Sequence, residues 1–281
     1  MRVLPSKRRG TVGSQSFHFL YRNFVDLFFP PRCVECHSVG RSICGKCFPL
    51  IEWIGVPICR VCGQPLGNSI RHSCVDPHLL QWVRSAAVFS GPMRRAIHAL
   101  KYSSDRTLAS FLVDISFAHF PPLTMDFDRI IPVPLGRIRE RKRGYNQSVL
   151  LAEALSLQTG IPVDTKCLIR SRETKSQVGL SHDERRQNVA RAFSATSVTG
   201  RKVIIVDDVC TTGATLQSCA ASLIDAGARS VAGWTLARAI LPGIDLHSQL
   251  IGGKDDHQDP YQHIGNGNDA SFEGVCGEET S

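Results

Sequence analysis

No apolar stretch in these 281 residues approaches the roughly 20 positions that a helix needs to cross a bilayer. An export signal is missing too. The apolar segment Phe17–Phe29 is broken by Arg22, Asn23 and Asp26, and no small-residue cleavage site comes after it. The G-x-x-x-x-G-K of a P-loop and the G-x-G-x-x-G of a dinucleotide fold are both absent. These gaps predict a soluble, cytoplasmic chain without membrane insertion, and they remove two common phosphate-binding motifs. Nor is there a large charge excess. The formal charge of +8 suits phosphorylated ligands or nucleic acid, but alone it only biases encounter.

Cysteine, by contrast, is abundant. Eleven occur, and seven of them fall between Cys33 and Cys74. In the reducing compartment expected without an export signal, metal ligation is favoured over disulfides. Cys33-x-x-Cys36 and Cys44-x-x-Cys47 are two chelate arms at knuckle spacing, and four thiolates complete a tetrahedral structural zinc shell. A second set is less complete. Cys59-x-x-Cys62 forms an arm with Gly63 supplying the turn, but only Cys74 comes later, and Pro77 stands where a partner cysteine would be. His72 or His78 is the candidate fourth ligand, since imidazole replaces thiolate readily. One or two structural zinc ions are therefore expected.

Composition and periodicity divide the rest. Residues 1–16 are basic and aperiodic and are expected to be disordered, as is the polar tail at 241–281. Residues 17–80 hold a short helix, stopped by Pro30-Pro31, and the cysteine-rich ribbon. Residues 81–240 alternate strands and helices: strands at Arg84–Phe89, Phe127–Pro134, Lys166–Arg170, Lys202–Val206 and Ser230–Leu236. Helices are expected at Pro92–Lys101, Leu108–Phe117, Gly144–Leu157 and Thr212–Ala226. That alternation predicts an α/β domain with a parallel sheet. Lys202–Val206 is β-branched and apolar throughout, as a strand covered on both faces should be.

The chemistry lies just beyond that strand. Asp207 and Asp208 stand at its carboxyl end, where ligands bind in open parallel sheets. Thr211, Thr212, Gly213, Ala214 and Thr215 then straddle a tight turn into a helix. Such a turn aims backbone N–H groups at one point, and the helix dipole adds partial positive charge there. Hydroxyls supply further donors, and Gly213 lets the backbone approach closely. Two carboxylates would repel a phosphate unless they face hydroxyls, and those of a ribose are suitable partners. Cys210, inside this run, reads as a small buried residue rather than a nucleophile. Val206 to Thr215 closely resembles the loop of type I phosphoribosyltransferases that binds phosphoribosyl pyrophosphate (PRPP). In that superfamily the acidic pair, here Asp207 and Asp208, holds the ribose hydroxyls, and pyrophosphate leaves with magnesium (Mg2+). Catalysis there is mainly positioning and charge stabilisation.

A second anionic end would need basic groups. Pro134–Gln147 offers Arg137, Arg141 and Arg143. Arg170–Asn188 offers Arg172, Lys175 and Arg186. These are candidates for holding pyrophosphate, a nucleotide or nucleic acid.

Several further motifs occur in order. They are Phe29-Pro30-Pro31-Arg32-Cys33, the cysteine pairs, Leu100-Lys101-Tyr102, Pro132-Val133-Pro134-Leu135 and Arg141-x-Arg143-Gly144-Tyr145-Asn146-Gln147. Arg172-x-Thr174-x-x-Gln177 and Arg186-x-Asn188-Val189-x-x-Ala192-Phe193 come next, before the acidic loop. The series, from about Phe24 to Ala239, resembles the ComF family of competence-associated, phosphoribosyltransferase-like proteins, with Pro77 as a departure. The resemblance implies a type I phosphoribosyltransferase-like α/β domain preceded by a small zinc ribbon. It also implies a role in DNA uptake or nucleotide metabolism. PRPP, single-stranded DNA and competence-machinery proteins are the partners to test. A transferase with an undefined acceptor stands beside a non-catalytic module that senses PRPP and grips single-stranded DNA.

Overall fold

The β-branched run beginning at Lys202 becomes an inner strand of a parallel sheet in the computed structural model, which describes residues 30–55, 57–66, 74–103, 105–119, 126–171 and 192–240. The sheet strands are β1 (Val83–Val88), β2 (Arg129–Pro132), β5 (Lys202–Cys210) and β6 (Ser230–Arg238). They stand in the order β1-β6-β5-β2, with every neighbouring pair parallel. Two short strands, β3 (Leu168–Arg170) and β4 (Phe193–Ala195), pair antiparallel in a separate sheet. The strand expected at Lys166–Arg170 is thus shorter and lies outside the parallel sheet.

Both faces of that sheet are covered, which is why β5 shows no polar alternation. Ile204 and Val206 enter the core on one face, and Val203 and Ile205 the core on the other. The first face is covered by α1 (Gly91–Tyr102), α2 (Leu108–Ala118) and α4 (Gln147–Thr159), through Leu100, Leu112 and Leu155. The second is covered by α5 (Ala214–Asp225), through Leu216, Ala220 and Leu223.

Two further elements depart from expectation. The helix predicted from Gly144 starts at Gln147, because Arg137–Arg143 forms a separate basic helix, α3. Gly144, at φ 80°, closes α3 in the left-handed conformation, and Asn146 caps α4 by accepting from the Ser148 N–H at 3.0 Å. β5 also runs on past Val206, because Asp207, Val209 and Cys210 pair with Thr235, Ala237 and Arg238 of a longer β6.

The cysteine-rich segment contains one knuckle twice, with each part repeated 26 positions later (Cys33 to Cys59, Cys36 to Cys62). His37 and Gly63 occupy the same left-handed turn, at φ 62° and 71°, and their N–H groups donate to Cys33 O and Cys59 O at 2.8 and 2.9 Å. Bridges Arg32–Val39 and Ile58–Pro65 match in the same way. The two halves join opposite cores: Cys33, Ile43 and Cys47 pack on the α1 face, and Cys59, Cys62 and Val75 on the α5 face. Between them, residues 52–54 lie antiparallel along β1. The Ile54 N–H donates to Ala86 O at 2.9 Å and the Val88 N–H to Glu52 O at 2.8 Å, closing the edge of the sheet. Among the described residues, no helix is long and apolar enough to cross a membrane. The expected helix at 17–29 and the termini 1–16 and 241–281 lie outside the described residues.

Candidate functional site

At the carboxyl end of β5 the two acids are held differently. Asp207 Oδ1 accepts from the Ser148 hydroxyl at 2.9 Å and from the Asp208 N–H at 2.9 Å. Asp208, only 5 % exposed, is paired instead with an ammonium, Lys101 Nζ, at 2.6 Å. Burial first, and the Asp208 charge second, push the Asp207 carboxyl up to about 7. The Asp208 N–H, the Ser148 hydroxyl and the Lys101 charge oppose that shift. The pair is thus a partly desolvated acceptor set with one cation built in.

The segment Arg143–Ser148 positions these partners. The Tyr145 hydroxyl donates to Leu100 O, next to Lys101, and fixes the end of α1. Asn146 Nδ2 donates to Val133 O at 2.9 Å, tying the start of α4 to the end of β2. The same Asn146 caps α4, which sets Ser148 opposite Asp207. Arg143 donates to Gln147 Oε1, and its guanidinium lies 5.2 Å from the centre of the Tyr102 ring. The uncharged residues that follow the basic run are therefore the scaffold of the acidic pair, with Arg143 joining the two.

Past β5 the chain turns through Thr211, Thr212 and Gly213. Gly213 adopts φ 78° and is the N-cap of α5. A Cβ there would stand 2.6 Å from Val75 Cγ1, so the second ribbon lies against the turn and glycine is required. Thr212 Oγ1 accepts from the Ala214 N–H at 3.3 Å and holds the turn.

These elements enclose a cleft of about 580 Å³. Of the predicted residues, Asp207, Asp208, Cys210, Thr211, Gly213, Thr215 and Arg143 line it. Val206, Thr212 and Ala214 do not. Val206 is fully buried in the sheet, and Ala214 is buried at the start of α5. Arg137 and Arg141 are exposed on α3 and do not line the cleft, because a helix rather than an extended loop carries them, and Arg139 takes the inward position. Arg172, Lys175 and Arg186 lie outside the described residues. Cys210 is 1 % exposed, and burial raises its thiol, in keeping with a packing role.

Sequence reasoning missed the wall opposite. Arg94, His98, Lys101 and Tyr102 of α1 line the cleft together with Ser148 and Arg170. A signal was present: Arg94, His98 and Lys101 recur at i, i+4 and i+7, one face of a helix.

The cysteines gather as two clusters. Cys33, Cys36, Cys44 and Cys47 place their sulfurs within 4.8 Å of one another. Cys36 and Cys44 sulfurs are 3.5 Å apart, near the roughly 3.8 Å edge of a tetrahedron with zinc–sulfur bonds of about 2.3 Å. The Cys44 N–H points at Cys33 Sγ at 3.4 Å, and Cys44 is lowered to about 6, by the Ser38 hydroxyl first. This donor set fits structural zinc. Cys59, Cys62 and Cys74 form the second cluster, with Cys59 and Cys74 sulfurs 3.8 Å apart. Among the described residues no fourth donor joins it. His78 is not part of it; its backbone N–H donates to Asp76 Oδ1 at 2.8 Å. His72 lies outside the described residues.

Comparison with known proteins matches these parts. A double zinc ribbon domain model covers residues 24–76, and a phosphoribosyl transferase domain model covers 131–242. Competence protein F of Haemophilus influenzae is 34% identical over 232 residues, covering 75% of this chain and 99% of that protein. DNA utilization protein YhgH of Escherichia coli O157:H7 is 35% identical over 65% of this chain and 85% of its own. Competence protein ComFC of Bacillus subtilis is 28% identical over 71% of this chain and 85% of its own. A solved B. subtilis glutamine phosphoribosylpyrophosphate amidotransferase, complexed with ADP and GMP, aligns at 24% identity and a TM-score of 0.31. That alignment covers 50% of this chain and 26% of that one, so this chain spans about a quarter of its length. Both domain models fall in a single polypeptide that matches Competence protein F almost from end to end, and the chain belongs to the ComF family.

Proposed function

We propose that the chain binds PRPP in the cleft at the ends of β2 and β5 and acts as a phosphoribosyltransferase in the handling of incoming DNA. One observation carries the reading. A buried strand carries two acids near its carboxyl end, and a glycine turn leads into a twelve-residue helix within the same cleft. In this reading the ribose hydroxyls donate to Asp207 and Asp208, while the turn at Thr211–Gly213 and the first amides of α5 take the 5-phosphate. Arg143 and Arg139 face the pyrophosphate end, and we propose Arg172, Lys175 and Arg186 as further contacts to pyrophosphate or nucleic acid. Magnesium brought with PRPP would supply charge neutralisation at the pyrophosphate. The protein's part is to fix the ribose and its anionic ends, which is most of what such a transfer needs.

The role in DNA uptake rests on the relatives named competence proteins and DNA utilization proteins. We place the boundary between ribbon (17–80) and transferase-like domain (81–240) just before β1, and we place the chain in the cytoplasm.

A second reading, a PRPP sensor that grips single-stranded DNA without turnover, is favoured by one feature. Tyr102 is 72 % exposed at the cleft rim, beside Arg143 and the basic helix α3. Pyrophosphate release from PRPP, measured across purine, pyrimidine and nucleotide acceptors, separates the two. Turnover with any acceptor supports the transferase. PRPP binding without turnover, alongside salt-sensitive oligonucleotide binding, supports the sensor. A protein that binds no PRPP sinks both.

A further inference from the structure

We propose that Lys101 is a positioning residue of the sugar-phosphate site, the fixed counter-ion of Asp208 that lets an anionic ligand settle beside two adjacent carboxylates. The proposal rests on the reading of the cleft as a PRPP site.

The electrostatic problem is plain in the sequence. A phosphate cradle begins three residues beyond a pair of acids, and like charges at such separations repel strongly inside a protein. Hydroxyl partners on the ligand explain why acids are useful there, but they do not remove the repulsion. The geometry does. Asp207 is served by neutral donors, the Ser148 hydroxyl and the Asp208 N–H. Asp208 is served by a full positive charge at 2.6 Å, with the two side chains 21% and 6% exposed. Such a pair is poorly screened by solvent.

The ammonium is also held in place. It extends from the last turn of α1, which ends at Tyr102. The preceding carbonyl, Leu100 O, accepts the buried Tyr145 hydroxyl, and the Ser103 N–H closes the helix on Ala99 O at 2.9 Å. Farther back on α1, Arg95 is paired with Glu35 of the first ribbon at 2.9 Å. Lys101 thus belongs to a helix anchored both to the ribbon and to the Arg143–Ser148 segment. A flexible surface lysine that happened to meet an acid would need none of this. Lys101 also lines the cleft, so its charge is presented to the ligand as well as to Asp208.

A merely structural ion pair between α1 and β5 makes a different prediction, and a double-substitution experiment separates the two. Full-length, zinc-loaded protein is titrated calorimetrically with PRPP plus magnesium and, separately, with ribose 5-phosphate. Thermal unfolding and zinc content are recorded for every variant. Lys101→Met is expected to weaken both ligands by about tenfold or more, because it leaves a buried charge uncompensated. Lys101→Arg, which keeps the charge, should stay within about threefold of wild type. The decisive variant is Lys101→Met with Asp208→Asn. It removes the carboxylate that Lys101→Met leaves without its cation, and asparagine still accepts from a ribose hydroxyl, so ribose 5-phosphate affinity should recover most of what Lys101→Met lost. Should the double variant bind no better than Lys101→Met alone, or should Lys101→Met bind as wild type does, the counter-ion role is overturned while the site reading stands. Wild-type protein that binds neither ligand overturns the site reading, and this proposal with it.

Discussion

The backbone N–H of Asp76 donates to Gln217 Oε1 at 2.9 Å, which ties the end of the second ribbon to the helix that starts at the Thr211–Gly213 turn. One residue earlier, Val75 lies against Gly213 itself. Arg238, at the end of β6, reaches back to Cys62 O and to Gln64 Oε1, the latter at 3.1 Å. The second cysteine cluster therefore shares a wall with the candidate ligand site.

Metal loss at that cluster should accordingly be felt at the turn. Cys59→Ser with Cys74→Ser is expected to lower zinc content and to weaken PRPP binding by about 1 kcal/mol, roughly fivefold. Calorimetry beside metal analysis checks it. Zinc loss with unaltered affinity would show that the wall is passive.

Gly213→Ala tests the turn from within. An L residue at φ 78° is strained, and its Cβ would meet Val75 Cγ1 at 2.6 Å. We expect a loss of about 2 kcal/mol in unfolding free energy and no measurable PRPP binding. Adding Val75→Ala removes the clash and should return part of the stability but leave the strain. Equal denaturation midpoints for the single and double variants would refute the contact.

Asp207 predicts a pH dependence. Its carboxyl is raised from 3.8 to about 7, chiefly by burial and then by Asp208. The groups facing it are Asp208, Ser148 and Lys101, with the raised, buried thiols of Cys210 and Cys219 nearby. The folded chain holds its proton more tightly than the unfolded chain does. This group therefore lowers stability progressively as pH rises from about 4 to about 7, and no further above that. Asp207→Asn should flatten this slope and stabilise the ligand-free protein at pH 8 by roughly 1–3 kcal/mol, while weakening PRPP binding. Urea melts at several pH values give the slope directly, and an unchanged slope would mean that Asp207 titrates normally.

Tyr145→Phe removes the hydroxyl that holds Leu100 O. We expect a cost of about 1–2 kcal/mol, since a buried carbonyl loses its donor. The looser end of α1 should also weaken PRPP binding, though less than Lys101→Met does. Stability equal to wild type would show that the Leu100 carbonyl finds another donor.

Much of the site was legible because it is local. Asp207 to Thr215 is one strand end and one turn, and the residue types there declare their chemistry. The four thiols from Cys33 to Cys47 are likewise close in sequence, and knuckle spacing leaves few other uses for them. Lys101, Ser148 and Val75 were not legible as site residues. Each is an ordinary residue on an ordinary element and gains its role only from what stands opposite. Which residues of the basic run face the cleft was not legible for the same reason: helical geometry turns Arg139 and Arg143 inward and leaves Arg137 and Arg141 exposed.

The sequence by itself determined the alternation of the sheet strands with their covering helices, though not α3 or β4, and it determined the thiol-rich knuckles and the acidic turn. Propensity, periodicity and ligand spacing act over a few residues, so they survive in a linear reading. Only the tertiary structure decided which cation meets Asp208, which hydroxyl meets Asp207, and that the two knuckles pack on opposite faces of one sheet. Those pairings join residues far apart in the chain. They depend on how the helices cross the sheet, a geometry set by packing on both faces together rather than by any one segment.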